Sequence, residues 1–509
     1  MLTMGDFSKN GRLGNMLFQY SAIIGFSEKY KTNYYLPEWK YNSFFNECVP
    51  QGAISFNGSP VKIAEPNFHY SGEYFDQFDF QNKNYDLTGY FQSEKYFIHC
   101  KDQIKNKLSF KKEFIDDVRF RYSSYFEKET IAIHVRRGDY VNNSFYYQLP
   151  INYFVLALMQ IPGWKEKNIF VFSDDPAYTE IHFKSLPNVS IISGNSDVFD
   201  LCLMSLCDYH VLSNSSYSWW GAYLSNSKQV IYPTHYFTGN QNMNDFWPEN
   251  WKSFDHEHKK IDLSDTTFMI PLTYDHKDRL ENVNLNVRFL CQYFDCKIII
   301  GENISDRFKH LGGEYMKFNY VGFHRTKMLN KMAEKSTTPI IANWDADVFV
   351  SPFQILMAVE KIRSGADMVY PYDGNFVKVT RRPYMLILDK SNDLAQAVAG
   401  KSFVSDPGSF GGAIFFKKTS YFEGGGENEN FISWGPEDHE RYVRFTKLGY
   451  KVERIKGSIY HLEHYRGTNS SYRTPFKAKN KREYEHIASL SAEDLKEYIN
   501  TWKIKTKSI

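Results

Sequence analysis

I-A-I-H-V-R-R-G-D-Y, Ile131 to Tyr140, is the stretch on which the reading of the chain turns. Its apolar, β-branched start predicts a buried strand. The run stops at His134, Arg136, Arg137, Gly138 and Asp139, where a loop should leave that strand. Open α/β sheets bind ligands beyond the carboxyl ends of their strands. Two adjacent guanidiniums beside a turn-forming glycine suit the clamping of a diphosphate through forked, charge-assisted hydrogen bonds. A solvated basic turn closed by an Arg–Asp surface pair reads equally well from the motif by itself.

Working outward, 509 residues exceed what one core holds, so two domains of similar size are expected. With 61 basic against 59 acidic residues the net charge is +2, which gives no overall field to attract nucleic acid; any anion site must be local. Aromatics reach 17%, including 37 Tyr and 42 Phe, which suits large cores and stacking surfaces for sugars or bases. The six cysteines, Cys48, Cys100, Cys202, Cys207, Cys291 and Cys296, form no C-x-x-C pair, and this predicts reduced thiols in a cytoplasmic protein. No signal peptide or long apolar run is read, since Asp6 and Lys9 already interrupt the start. The last residues, T-W-K-I-K-T-K-S-I, offer Trp502, Lys503, Lys505 and Lys507 for peripheral contact with the inner face of a membrane, although such tails are more often simply solvated.

Toward the N-terminus, G-R-L-G-N-M-L-F-Q-Y places Gly11 and Gly14 in a predicted tight turn, with Asn15 beside it, before an apolar stripe at helical spacing. A glycine turn feeding a helix presents free N–H groups to an anion, and a plain turn looks the same. L-T-G-Y-F-Q-S-E-K-Y-F (Leu87–Phe97) reads as a strand end with the mixed aromatic and polar groups of a carbohydrate site or of a half-buried surface. Beyond the Arg-Arg stretch, N-I-F-V-F-S-D-D ends a second strand at Asp174, and N-S-S-Y-S-W-W-G-A sets Asn214, Ser215 and Ser216 before a helix expected near Trp219.

Taken together and in order, these five blocks resemble the bacterial α-1,2-fucosyltransferases over roughly residues 1–255. The resemblance implies a metal-independent GT-B-like pair of Rossmann lobes, GDP-fucose as donor and inversion at the fucose anomeric carbon. It puts Arg136 and Arg137 on the diphosphate as catalytic groups. His134, Asp139, Asp174, Asn214, Ser215, Ser216, Gly14 and Asn15 fall in or near the donor site. Arg12 and Met16-Leu17 stand where the family more often has Gly and Gln-Met.

A charged stretch, Trp251–Ser264, reads as a linker, set at residues 256–264, after which a new α/β pattern runs over 265–509. T-F-M-I-P-L-T-Y-D, E-N-V-N-L-N-V-R-F-L-C-Q-Y-F and C-K-I-I-I-G-E-N predict a βαβ unit. Next, T-P-I-I-A-N-W-D-A-D-V-F-V carries a strand to Asp345 and Asp347, whose spacing lets two carboxylates reach one hard divalent cation; a bare D-x-D is also a common loop feature. W-G-P-E-D-H-E puts Glu437 and Asp438 at a helix start, where the helix dipole keeps a carboxylate ionised and fit to be a base, or simply caps the helix. I-Y-H-L-E-H adds His461 and His464, either of which completes an Asp/His metal site. Downstream, Ser491 and Asp494 predict a capped helix.

W-D-A-D-V-F, G-G-A-I-F-F and W-G-P-E-D-H-E resemble GT-A glycosyltransferases of the β-1,4-galactosyltransferase and chondroitin-polymerase type over roughly 265–470. This implies manganese-dependent transfer from a UDP-hexose, galactose or N-acetylgalactosamine. Asp347 and His461 become metal ligands, Asp438 the base and Glu437 the group that orients the acceptor. H-R-T-K-M-L-N adds Arg325, with Asp345, to the donor side; Pro436 replaces a glycine common in galactosyltransferases. The expected function is a bifunctional glycosyltransferase acting on one glycan. The alternatives are an active fucosyltransferase joined to a silent glycan-binding module and, from the D-x-D and His groups alone, a metal-dependent phosphohydrolase.

Overall fold

The structure, a computed structural model, describes residues 1–7, 9, 11–47, 59–379, 394–398, 402–465 and 474–502. It divides into two units, Met1–Thr179 with Pro187–Glu257, and Glu180–Leu186 with His258–Ile509.

The first unit contains two wholly parallel sheets. One joins β1 (Leu2–Thr3), β2 (Tyr34–Tyr35), β3 (Val61–Ala64) and β4 (Tyr85–Thr88) in the order β2-β1-β4-β3. The other joins β5 (Thr130–Val135), β6 (Asn168–Ser173), β7 (Val189–Ile192), β8 (Tyr209–Val211), β9 (Gln229–Pro233) and β10 (Lys252–Phe254) in the order β10-β9-β8-β5-β6-β7. β5 is buried at every position, as a strand covered on both faces must be, which is why its sequence is a continuous apolar run. Its register with β6 pairs Val135 with Ser173, so the two strands end side by side and Arg136 leaves the sheet next to Asp174.

The helix Leu13–Tyr30 begins two residues after Gly11, whose φ of +98° makes the expected turn. Gly14 lies inside that helix and not in the turn. A Cβ there would stand 2.5 Å from the backbone nitrogen of Tyr217, so glycine lets this helix and the helix Ser216–Tyr223 meet backbone to backbone. The latter starts at Ser216, three residues before the expected Trp219, because the Ser215 side chain accepts the N–H of Tyr217 and caps it. Trp219 and Trp220 are fully buried in the aromatic core around Phe18.

In the second unit a seven-stranded sheet joins β11 (Ile261–Thr273), β12 (Phe294–Asn303), β13 (Glu314–Phe318), β14 (Ile340–Trp344), β16 (Met368–Tyr370), β19 (Ala413–Lys417) and β20 (Val452–Arg454) in the order β13-β12-β11-β14-β19-β16-β20. A smaller sheet has β15 (Val348–Phe349), β17 (Phe376–Val379), β18 (Ser402–Asp406) and β21 (Ile459–Leu462), in the order β15-β21-β17-β18. The parallel pairing of β11 with β12 across the helix Lys277–Tyr293 is the βαβ unit read from sequence. The stretch read as a linker is strand in part: Lys252–Phe254 forms β10, and β11 already begins at Ile261. Alternating burial of Ile261 and Leu263 against exposed Asp262 and Ser264 holds that edge in the sheet despite its polar composition.

Among the described residues no helix is long and apolar enough to cross a membrane. Cys100, Cys202, Cys207, Cys291 and Cys296 are free thiols. Cys48 and the lysines at 503, 505 and 507 lie outside the described residues.

Candidate active sites

In the first unit the groups at the ends of β5 and β6 form one charged cluster. Asp174 accepts the backbone N–H of Arg137 at 2.8 Å through Oδ1, while its Oδ2 lies 2.5 Å from the guanidinium of Arg136. Arg136 also pairs with Asp139, which Arg12 approaches to 3.6 Å. A Cβ on Gly138 would stand 2.3 Å from Asp174 Oδ2, so a larger residue there would displace the Asp174 carboxylate. Arg137 turns aside, pairing with Asp175 at 3.2 Å and lying 4.0 Å over the Tyr178 ring. The two guanidiniums expected together on a diphosphate therefore have separate partners, and Arg136 carries the contacts to Asp139 and Asp174.

His134 is buried with Nδ1 2.7 Å from Ser213 Oγ; burial, helped by the Arg136 charge, pushes its pKa down to about 3, so the imidazole is neutral. Asn15 joins the two helix starts: its Oδ1 accepts Ser216 Oγ–H at 2.6 Å and a Gln92 amide hydrogen at 2.8 Å. Asn214 is less available than expected. Its amide donates to the carbonyls of Tyr147 and Tyr236 at 2.9 and 2.7 Å, which fixes the neighbouring loops.

The second unit has a cavity of about 490 Å³ at the carboxyl ends of β11 and β14, lined by Arg279, Arg325, Asp345, Asp347, Glu437, Asp438, His461 and His464 among others. The strand stops at Trp344 and the chain turns; Asp345 and Asp347 both line the cavity and take different partners. Asn286, buried on the helix Lys277–Tyr293, fixes this turn by accepting from Trp344 Nε1 at 3.0 Å and donating to the Val348 carbonyl at 2.7 Å. The group of possible metal ligands accordingly includes Asp347 and leaves Asp345 out. Asp345 accepts two hydrogen bonds from Arg325, at 2.8 and 3.2 Å, and Asp347 faces the histidines.

Asp347, His461 and His464 offer one ligand atom each, all within 4.8 Å of one another. The antiparallel register that pairs Val348 with His461 brings them together across more than a hundred residues. His464 lies closer to Asp347, at 3.1 Å, than His461 at 3.6 Å. Its Nδ1–H donates to the Tyr465 carbonyl, which leaves Nε2 directed at Asp347, the arrangement of a metal-ligating imidazole. One carboxylate and two imidazoles suit a borderline divalent ion. Burial alone would raise the Asp347 pKa, but His461, His464 and Arg279 outweigh it and hold the carboxyl well below its usual range.

Asp438, which also lines the cavity, meets the guanidinium of buried Arg441 at 3.0 Å and that of Arg325 at 3.5 Å. Arg441 is itself gripped by Glu427 through two hydrogen bonds of 2.8 and 2.7 Å. Glu437 does not behave as its place at a helix start suggested. Burial, then the adjacent Asp438 charge, push its pKa up against the pull of Arg325 and Arg441. Its Oε2 meets no hydrogen-bond partner among the described residues. Trp434, 43% exposed, stands on the loop before this helix.

Comparison with known proteins gives likenesses for parts of both units. Residues 60–255 match the model of glycosyl transferase family 11, and residues 403–466 match that of the N-terminal domain of galactosyltransferase. Both halves carry glycosyltransferase-family domains. The first half is similar to the Escherichia coli O-antigen biosynthesis glycosyltransferase WbnK, 29% identical over 238 residues that cover 44% of this chain and 68% of that protein. It is also similar to the Escherichia coli α-1,2-colitosyltransferase, 31% identical over 184 residues, 33% of this chain and 61% of that protein. A galactoside 2-α-L-fucosyltransferase of Caenorhabditis elegans is 23% identical over 275 residues, covering 47% of this chain and 76% of that protein. Among solved structures, Drosophila β-1,4-galactosyltransferase 7 with manganese, UDP-Gal and xylobiose aligns over 37% of this chain and 64% of that chain, at 17% identity and a TM-score of 0.25. GalNAc-T7 with UDP, GalNAc and Mn2+ covers 46% of this chain and 50% of that chain, at 13% identity and a TM-score of 0.31.

Arg279, Arg441 and Glu427 complete the second site without having been singled out in the sequence, whereas His461 and His464, read there as alternatives, both stand beside Asp347. For His464 the signal was present in the spacing of H-L-E-H; for the buried Arg441–Glu427 pair nothing local distinguishes it from surface charge.

Proposed function

We propose that the chain is a bifunctional glycosyltransferase. Its first unit, a GT-B-like pair of lobes, transfers fucose from GDP-fucose to a galactoside 2-hydroxyl with inversion and without a metal. Its second, GT-A-like, transfers galactose or N-acetylgalactosamine from a UDP-sugar with Mn2+. The observation that carries this reading is the cavity of the second unit, which gathers Asp347, His461 and His464 together with Asp438.

In the second unit Asp347, His461 and His464 would hold the ion, which when bound supplies positive charge for the departing diphosphate. Asp438 removes the proton of the acceptor hydroxyl, the freed oxygen bonds to the anomeric carbon, and the electron pair of the broken glycosyl bond leaves on UDP. Arg441 and Arg325 fix the Asp438 carboxylate during this transfer. In the first unit Arg136, paired with Asp139 and Asp174, would meet the charge that develops on departing GDP. The covalent link raises the effective concentration of one product at the other site.

The test is to assay the purified chain separately with GDP-fucose and UDP-galactose, including GDP-colitose and UDP-N-acetylgalactosamine as competing donors, with and without EDTA. Chelation should abolish hexose transfer and spare fucose transfer. Fucose transfer that stops with EDTA, or hexose transfer that survives it, overturns the assignment. Release of free hexose faster than any transfer would identify a hydrolase instead.

A further inference from the structure

Beside the Arg136 cluster, the first unit carries an aromatic shelf. Phe68, on the segment that follows β3, is 46% exposed and reaches the ring of Phe237 at 5.6 Å and that of Phe145 at 6.4 Å. Phe145, 37% exposed, lies 4.5 Å from Phe237, and Tyr146 lies 5.5 Å from Phe237. Two loops, each following a strand of the larger sheet, are tied together beneath these rings. Tyr146 and Phe237 form an antiparallel bridge, and the N–H groups of Tyr147 and Thr238 donate to the carbonyls of Tyr236 and Phe145 at 3.2 and 3.0 Å. Phe145, Tyr146 and Phe237 are therefore fixed by backbone pairing, and Phe68 packs against them, while Phe68 and Phe145 remain half exposed to water.

The shelf is continuous with the charged cluster. Tyr146 stacks on Tyr140 at 3.8 Å with the rings 8° from parallel, and the Arg136 guanidinium lies 5.1 Å over Tyr140. A path of touching rings thus runs from the guanidinium proposed to meet the leaving diphosphate to the exposed Phe68 and Phe145.

We propose that this shelf binds the acceptor sugar of the first unit, a β-galactoside, by stacking its apolar C–H face on Phe68 and Phe145. Exposed aromatic patches rimmed by polar groups mark binding surfaces. A pyranose offers one face of C–H bonds and a rim of hydroxyls, which suits neutral rings next to an Arg–Asp cluster. Two half-exposed rings fall far short of the roughly 800 Å² per partner that a stable protein interface needs. The proposal deepens the fucosyltransferase reading and rests on it for the identity of the reaction.

The experiment compares the full chain with Phe68→Ala, Phe145→Ala and the double variant, using lactose as the probe. Phe120→Ala, on a ring that is 80% exposed elsewhere on the same unit, serves as the control. Lactose binding is measured by calorimetry with and without GDP, and GDP binding is measured alone. The double variant should weaken lactose binding and raise the lactose KM about tenfold, in keeping with the loss of two stacked aromatic faces. GDP affinity, the GDP-fucose KM and the thermal midpoint should stay at the wild-type values, as should everything in Phe120→Ala. Equal lactose binding by wild type and double variant, no lactose binding by the wild type, or a shift in GDP affinity in place of lactose affinity would overturn the proposal. Ring-dependent lactose binding in a chain that neither binds GDP nor transfers fucose would keep the shelf and refute the fucosyltransferase reading.

Discussion

A Cβ on Gly411 would stand 2.6 Å from Oδ2 of Asp438. The carboxylate proposed as base is thus seated against bare backbone, with Oδ1 held by Arg441 on its other side. Gly411→Ala should push Asp438 out of place while changing stability little, because the displaced atom is the end of a side chain. Misplacement by about 1 Å is worth roughly a hundredfold in rate. Hexose transfer should fall by that order in kcat with Mn2+ affinity unchanged, and a variant with wild-type kcat would remove Asp438 from the reaction.

Asp347, His461 and His464 converge from a turn, a strand and the segment just after that strand. His464→Ala and Asp347→Ala should each weaken Mn2+ binding by at least about tenfold in calorimetry, and both should lower hexose transfer. Asp345→Ala should leave Mn2+ binding nearly intact, since its carboxylate is committed to Arg325. A strong loss of Mn2+ affinity in Asp345→Ala would restore the paired-carboxylate arrangement.

Arg136 contacts two carboxylates and stands over Tyr140, a geometry that needs a planar fork. Arg136→Lys keeps the charge and loses the fork. Fucose transfer should drop by about 10²- to 10³-fold in kcat, the range seen on removing one preorganised donor. Hexose transfer by the same preparation should be unaffected and serves as the internal control.

The burial of His134 gives a pH dependence whose sign follows from the downward shift of its pKa. Its pKa falls from 6.5 to about 3 on folding, so between those values the unfolded chain binds more protons than the native one. The contribution of this group to stability is complete above pH 6.5 and is lost as pH falls toward 3. Chemical denaturation between pH 4 and 7 should show the first unit weakening on acidification, with a shallower slope in His134→Gln. An unchanged slope would mean that other groups control the acid limb.

Asn480, fully buried on the helix Lys477–Ser489, donates to the carbonyls of Ile432 and Trp434 at 2.9 and 3.0 Å. Between them Ser433 holds a left-handed φ of +60°. Asn480→Ala leaves two carbonyls without these donors at about 1–3 kcal/mol each if they stay buried, and frees the loop carrying Trp434. The acceptor KM of hexose transfer should rise with the UDP-sugar KM unchanged; equal rises in both would point to general loosening.

Much of the scaffold was legible locally. The continuous apolar runs of β5, β6 and β14 announced buried strands, and the polar residues that end them fell where sheets place ligands, because burial on both faces leaves a one-dimensional trace in the chain. The helix capped by Ser491 was equally local. What remained hidden depended on partners far apart in sequence. Helix position suggested an ionised Glu437, yet burial by surrounding elements pushes its pKa up.

By itself, the sequence determined where strands end, which charged groups stand at those ends and that two α/β patterns follow one another. Tertiary structure alone decided that Asp345 turns to Arg325 while Asp347 turns to His461 and His464, and that Phe68 joins Phe145 across two strand-end loops. Hydrophobic periodicity is written residue by residue. The register that pairs Val348 with His461 is a property of the folded sheet, and it selects which of two neighbouring carboxylates meets the histidines.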